Sequence, residues 1–254
     1  MRVCVLASGS AANAILVEGG TTRILVDAGL PARATRRWLG RFGILPARLD
    51  AVLLTHEHDD HARGAGAVAR ATGAVVLANE RTLRACPHVG RRHERFENLQ
   101  PFRVGDLLVE AIPVSHDAAD PVAFVIEAQG KRVVIATDLG EPDEALFERA
   151  AGADLVLLEA NYDLRLLAVS PYPPAVKARL IGSRGHLSND AAARLSVRLH
   201  TGTHQRVILV HLSEVNNLAP LARDVVAAAL QREGIDRVAV EAVRPNTGGG
   251  EWRV

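Results

Sequence analysis

The stretch LLTHEHDDHARGAG, Leu53 to Gly66, sets an apolar run directly in front of six consecutive titratable side chains, His56, Glu57, His58, Asp59, Asp60 and His61. Burying such groups unpaired is costly, and buried charges take partners or metals. The stretch is therefore either a solvated polar turn or part of a cation site. The rest of the chain decides between the two.

Elsewhere, single polar residues fall at the ends of apolar, β-branched runs. ILVD ends at Asp27, AIPVSH at His116, VVIATD at Asp138 and VILVH at His211, as AVLLTH ends at His56. Strand ends are rigid platforms on which functional groups gather. Imidazole and carboxylate together suit zinc, manganese or iron. One ion would take His56, His58 and His116, and a second Asp60, His61 and His211, with Asp138 bridging them. Two ions about 3.5–4 Å apart suit hydrolysis. Any one of these histidines, taken singly, reads as an ordinary hydrogen-bonded residue; the ordered set favours metal.

The same runs outline the architecture. Strand-like segments recur from RVCVLA at residues 2–7 to RVAVEAV at 237–243, some joined by hairpin turns such as EGGTT and AQGKR. Helical stretches at 32–42, 60–72, 141–150, 173–181, 188–199 and 217–233 separate others, with Ser188 or Asn189 and Asp190 placed to cap the fifth. Hairpins mixed with crossover helices predict an α/β (α+β) fold of two mixed sheets flanked by helices. With no low-complexity linker, residues 1–254 read as a single domain. The Arg-rich segment 81–95 reads as an irregular excursion.

Composition narrows the functional classes. A hydrophobic share of 48% supports a sizeable core without disulfides, and a net charge of +1 argues against coating nucleic acid through bulk charge. Only Lys131 and Lys177 are lysines, an arginine bias that a GC-rich coding sequence explains. Cys4 and Cys86 have no CxxC neighbour and read as packing residues of a reduced compartment. No stretch approaches the roughly 18 apolar residues of a membrane span, so the expectation is a cytoplasmic protein without a membrane partner.

The motif His56-Glu57-His58-Asp59-Asp60-His61, followed by His116, Asp138 and His211, resembles the HxHxDH signature of the metallo-β-lactamase superfamily. The resemblance implies a four-layer αββα sandwich with a dinuclear centre in the cleft between the sheet edges. It also implies that Asp27 orients a ligand histidine. Two later stretches narrow it further. His186 in GHLSN, before a helix and a strand ending in HLS, resembles the nuclease branch that contains ribonuclease Z. There this histidine protonates the leaving group, a task suited to imidazole; its bland reading is helix capping beside Ser188.

LASGSAANA, LLTHEHDDH, TDLG, LLEANYD, GHLSN and HLSEVNN together resemble the YycJ/WalJ-type proteins over nearly the whole chain. Those proteins usually read SGSSGNA and HEHSDH. Here Ala11 and Ala12 stand before Asn13, which questions a positive-φ turn, and Asp59 adds a carboxylate beside the ligands. The resemblance implies a 5′-to-3′ DNA exonuclease with two divalent ions, zinc or manganese, a metal-activated hydroxide and His186 as general acid. Asp60 would share in the catalysis. An RNA or small phosphodiester substrate is the alternative. Ser8, Ser10, Asn13, Asn161 and Ser188 are candidates for supporting the ligands or meeting substrate, as are Asn216 and Asn217. Arg91, Arg92, Arg95, Lys177, Arg179 and Arg184 are candidate backbone guides, more simply read as solvated arginines and a lysine. His88, His93, His200 and His204 fit no ligand pattern.

Overall fold

The computed structural model describes residues 1–44, 48–202 and 205–254; His204 lies outside them. β1 (Arg2–Ala7), β2 (Ala14–Gly19) and β3 (Thr22–Val26) form an antiparallel meander, which β4 (Ala51–Leu53), β5 (Val75–Ala78) and β6 (His93–Arg95) extend in parallel. The second sheet repeats the scheme. β7 (Phe102–Val104), β8 (Leu107–Pro113), β9 (Val122–Ala128) and β10 (Lys131–Ala136) are antiparallel, and β11 (Leu155–Glu159), β12 (Gln205–Val210) and β13 (Val238–Ala242) follow in parallel. β14 (Gly250–Arg253) then returns to the first sheet, antiparallel to β1. Among the described residues the sheet orders are β14-β1-β2-β3-β4-β5-β6 and β13-β12-β11-β10-β9-β8-β7.

The central strands read as unbroken apolar runs because both of their faces are buried. Val133, Ile135, Leu155 and Leu157 belong to one core with Leu16, Ile24, Leu25 and Leu53 of the first sheet. Val134, Val156 and Leu158 face outward, onto Leu146 of α5 (Glu144–Ala150), Leu195 of α8 (Asn189–Leu199) and Val226 of α9 (Ala219–Arg232). Each fully buried leucine in these layers contributes about 1.5–3 kcal/mol. On the other flank α1 (Ala32–Arg41) and α3 (Ala65–Thr72) cover the first sheet through Leu39 and Val68. The expected pair of mixed sheets between helices is the fold observed.

Two expectations need correction. The helix expected over 60–72 is two: α2 (Asp59–Ala62) and α3, broken at Gly64. A Cβ there would collide with the Ala28 and Leu30 carbonyls, so the chain must turn where backbones meet. The segment 81–95 is ordered structure. Asn79 caps α4 (Glu80–Ala85) by accepting from the Thr82 N–H at 3.0 Å, a 3₁₀ turn covers Pro87–Val89, and β6 adds a charged edge strand. α6 (Leu164–Val169) and α7 (Pro174–Ile181) complete the helices used below. Cys4 and Cys86 are buried, unpaired packing residues whose thiols burial pushes up to about 12.

Candidate metal centre

The two sheets present their C-terminal strand ends to one cleft. From the first, β4 runs out at Leu53 and the next eight residues hold the ligand motif. α2 is a single turn in which the His58 carbonyl accepts from the His61 and Ala62 N–H groups, both at 2.9 Å. This local closure points His58 and His61 to the same side: His56 Nε2 lies 3.0 Å from His58 Nδ1, and His61 is fully buried. From the second sheet, His116 follows β8, Asp138 follows β10 and His211 follows β12. Asp27, Asp138 and His211 leave their strands with φ of 60°, 50° and 55°. Asp, Asn and His are the non-glycine residues that best tolerate this left-handed region, and the kink turns each side chain out of the strand into the cleft.

Four groups converge: His56, His58 and His116; Asp60, His61 and His211; His56, His61 and Asp138; and Asp138, Glu159, His186 and His211. Within each, the donor atoms lie within 4.8 Å of one another. The first two are the ligand sets expected from the sequence, and Asp138 stands between them. Its Oδ2 is 2.9 Å from His61 Nε2 and its Oδ1 is 3.3 Å from His211 Nε2 and 3.7 Å from His116 Nε2. Asp138 Oδ2 is nonetheless buried without an aligned hydrogen-bond donor. Imidazole nitrogens converging on an unsatisfied carboxylate oxygen fit a divalent cation.

Supporting groups fix the candidate ligands. Asp27 Oδ2 meets His61 Nδ1 at 2.7 Å, and its carboxylate also accepts from the Thr55 hydroxyl and N–H, at 2.8–3.0 Å. The Asn13 carboxamide spans His61 Nε2 (2.9 Å), His211 Nδ1 (3.1 Å) and Asp60 Oδ2 (3.2 Å). Asn13 can sit this close because Gly29 has no Cβ to strike the Asp60 carbonyl. The positive φ of the serine-rich turn falls on Gly9, at 128°, so Ala12 replaces a glycine without strain.

The electrostatics follow from crowding. Burial, with neighbouring imidazole charge, holds His56 well below its ordinary value, and burial also lowers His116; both favour the neutral form with a free lone pair. Burial opposes the charged form of His61 too, but Asp138 and Asp27 outweigh it and raise His61. Burial would raise Asp138, yet the charges of His211 and His61 hold it well below the carboxylate range. His186 is pushed up to about 9. Burial works against its charged form, and Glu159, by charge and hydrogen bond, then Asp138, win.

Glu159 was not anticipated. It ends β11, is fully buried, accepts from His186 Nδ1 at 2.6 Å, and takes the Leu139 and Leu187 N–H groups at 2.7 and 3.2 Å. The signal was present: LVLLE is one more apolar strand ending in a carboxylate. Asp117 was also missed, while Glu57, which has no ligand role in the motif, acts as a support. Glu57 Oε1 accepts from the Ala119 N–H at 2.8 Å, which ties the His116 loop to the motif, and Asp117 Oδ1 lies 3.3 Å from His116 Nε2.

The other candidates divide between holding the backbone of a candidate ligand, capping a helix and locking loops. Ser188 caps α8 by accepting from the Ala191 N–H at 3.1 Å. Ser8 is buried and accepts from the His211 N–H at 2.7 Å, and Ser10 is exposed. Asn161 donates to the His211 carbonyl at 3.0 Å, and Asn217 pairs with Asn189 and the Ala160 carbonyl, so both lock loops. Asn216 is fully buried in the same loop. Asp59 is exposed on α2. His88 and His93 meet the Ala62 and Gly90 carbonyls, and His200 ends α8.

A family model described as Beta-lactamase superfamily domain matches residues 22–212. The chain is 33% identical over 241 residues to the exodeoxyribonuclease YycJ of Bacillus anthracis, covering 92% of this chain and 90% of that protein. It is 35% identical over 228 residues to the exodeoxyribonuclease WalJ of Streptococcus pneumoniae, covering 87% and 85%. The metallo-beta-lactamase fold protein YhfI of Bacillus subtilis superposes with a TM-score of 0.75 over 99% of both chains at 18% identity, a likeness of fold. No helix among the described residues is long and apolar enough to cross a membrane.

Proposed function

The chain belongs to the β-lactamase superfamily, alongside the YycJ and WalJ proteins, and we propose that this metal-dependent hydrolase is a dinuclear DNA exonuclease working 5′ to 3′. The observation that carries the reading is His186. A generic hydrolase of this ligand set needs no further histidine, yet here one stands beside the cluster, 3.7 Å from Asp138, held by a buried glutamate.

His56, His58 and His116 would hold one zinc or manganese ion, Asp60, His61 and His211 the other, and Asp138 both. Bound divalent ions polarise a phosphodiester and lower the pKa of water. The chain supplies the rest. Glu159 keeps the His186 Nδ1 proton engaged and leaves Nε2 to protonate the departing oxygen, a role suited to an imidazolium that persists to about pH 9. Burial would raise the Asp60 carboxyl, but His61 outweighs it and holds it low, so Asp60 stays an anion beside the reacting centre. Ser10, exposed in the turn after β1, would meet a phosphate. Residues 1–254 would act as one domain, in the cytoplasm.

Duplexes labelled at either the 5′ or the 3′ end, incubated with Mn²⁺, Zn²⁺ or chelator, test the reading. Metal-dependent release of the 5′ label as mononucleotide is expected, and His186→Ala should cost about 10²- to 10⁴-fold in turnover. Release from the 3′ end first would overturn the polarity. Full turnover in His186→Ala with metal bound would remove the general acid.

A further inference from the structure

Among the described residues, seven large apolar side chains are exposed. Six fall in two segments at the rim of the cleft: Leu164, Val169, Val176 and Ile181 on α6 and α7, and Val215 and Leu218 after His211. α7 buries no side chain at all. A helix with neither a buried face nor intrinsic reason to persist gains its stability from tertiary contact, and here the contacts run to the site. Arg179 Nε meets Asp117 Oδ2 at 2.5 Å, Arg184 Nε meets the His116 carbonyl at 3.2 Å, and the Leu180 carbonyl accepts from the His186 N–H at 3.0 Å. The Ser183 carbonyl takes the Ser115 hydroxyl and the Glu141 N–H, both at 2.8 Å. The arm thus stands on the loops that carry His116, Asp138 and His186.

Its charge is one-sided. From Leu164 to Asn189 the chain has Arg165, Lys177, Arg179 and Arg184 and no acidic residue, in a protein whose net charge is only +1. Apolar exposure of this kind marks an interaction surface. A polynucleotide strand matches both properties, because its phosphates are anionic and its unstacked bases offer apolar faces. A second copy of this chain would instead set the same cations against each other in a two-fold contact.

We propose that the α6–α7 arm is the docking surface for the strand being degraded, with bases resting on Val169, Val176 and Ile181 and phosphates on Arg165 and Lys177. This rests on the nucleic-acid reading above and adds where the polymer lies. The test compares wild type with Val169→Ser/Val176→Ser/Ile181→Ser and with Arg165→Ala/Lys177→Ala, on a labelled single-stranded oligonucleotide and on bis-p-nitrophenyl phosphate. Both variants should raise KM for the oligonucleotide about tenfold, with unchanged melting temperature and small-ester turnover. The charge variant should also flatten the salt dependence of KM. An unchanged KM overturns the docking surface, and equal losses on both substrates make the arm a prop for the site. Conversion of a dimer to a monomer by the serine variant would assign the patch to a second copy. A wild type that cleaves the small ester but no oligonucleotide would overturn the nuclease reading itself.

Discussion

Each sheet passes from three antiparallel pairings to three parallel ones, with the change after β3 in the first and after β10 in the second. The polar groups stand at matching places. β3 is followed by Asp27 and β10 by Asp138, both with positive φ; beyond β4 comes the ligand motif, and β11 ends in Glu159; β5 is followed by Asn79 and β12 by His211. The sheets differ in how many groups each strand end delivers. The first places three histidines and Asp60 within six residues, so their geometry is set by one turn of helix. The second contributes single residues from separate strands, so their convergence depends on register across the whole sheet. Local chemistry and global packing therefore carry different halves of one centre.

Asp138, which stands between the halves, gives the sharpest way to break that comparison. Asp138→Asn keeps the backbone conformation and removes the charge, and activity should fall on the order of 10³-fold. Titration should show one strongly held metal equivalent in place of two. Two tight equivalents would mean that the halves bind independently and that nothing bridges them.

Glu159 tests the scattered half alone. In Glu159→Gln, kcat/KM should fall about tenfold to a hundredfold through loss of His186 orientation. The sign of the pH effect is fixed by His186 lying above its ordinary 6.5, at about 9. Its interaction with Glu159 is complete below the lower value and is lost as pH rises through the upper one. The alkaline limb of activity should therefore lie near pH 9 in the wild type and move to lower pH in Glu159→Gln. An unmoved limb would assign it to another group.

The smallest effect separates support from chemistry. Ser188→Ala should cost about 1 kcal/mol of stability through the lost cap, seen as a lower melting temperature. kcat/KM on DNA should hold, and a large fall would return Ser188 to the substrate-contacting set.

The same comparison explains what could be read in advance. The ligand motif is contiguous and needs no tertiary knowledge. His116, Asp138 and His211 are legible because apolar runs end on them. Glu159 obeys the same rule but was passed over, since the signature that selects His116, Asp138 and His211 has no place for a glutamate there. β14 was missed because a four-residue edge strand with one buried side chain, Trp252, has no pattern of its own; it is defined by pairing with β1 across the whole chain. β6 and β7 fail likewise, being three-residue strands at exposed edges. Burial decided the roles of Ser8 and Asn161, and burial of a lone polar residue is not written in its neighbours; the hydrogen bond from the Ala191 N–H decided that of Ser188.

The left-handed strand ends have a consequence for how such a chain can change. Positive φ costs most residues about 1–2 kcal/mol, but glycine nothing and Asn or Asp little. At Asp27 and Asp138 the substitutions that keep this backbone, Asn and Gly, are the ones that erase the negative charge. Descent from this enzyme to a catalytically silent relative is thus conformationally cheap, with the scaffold and its cleft passed on intact.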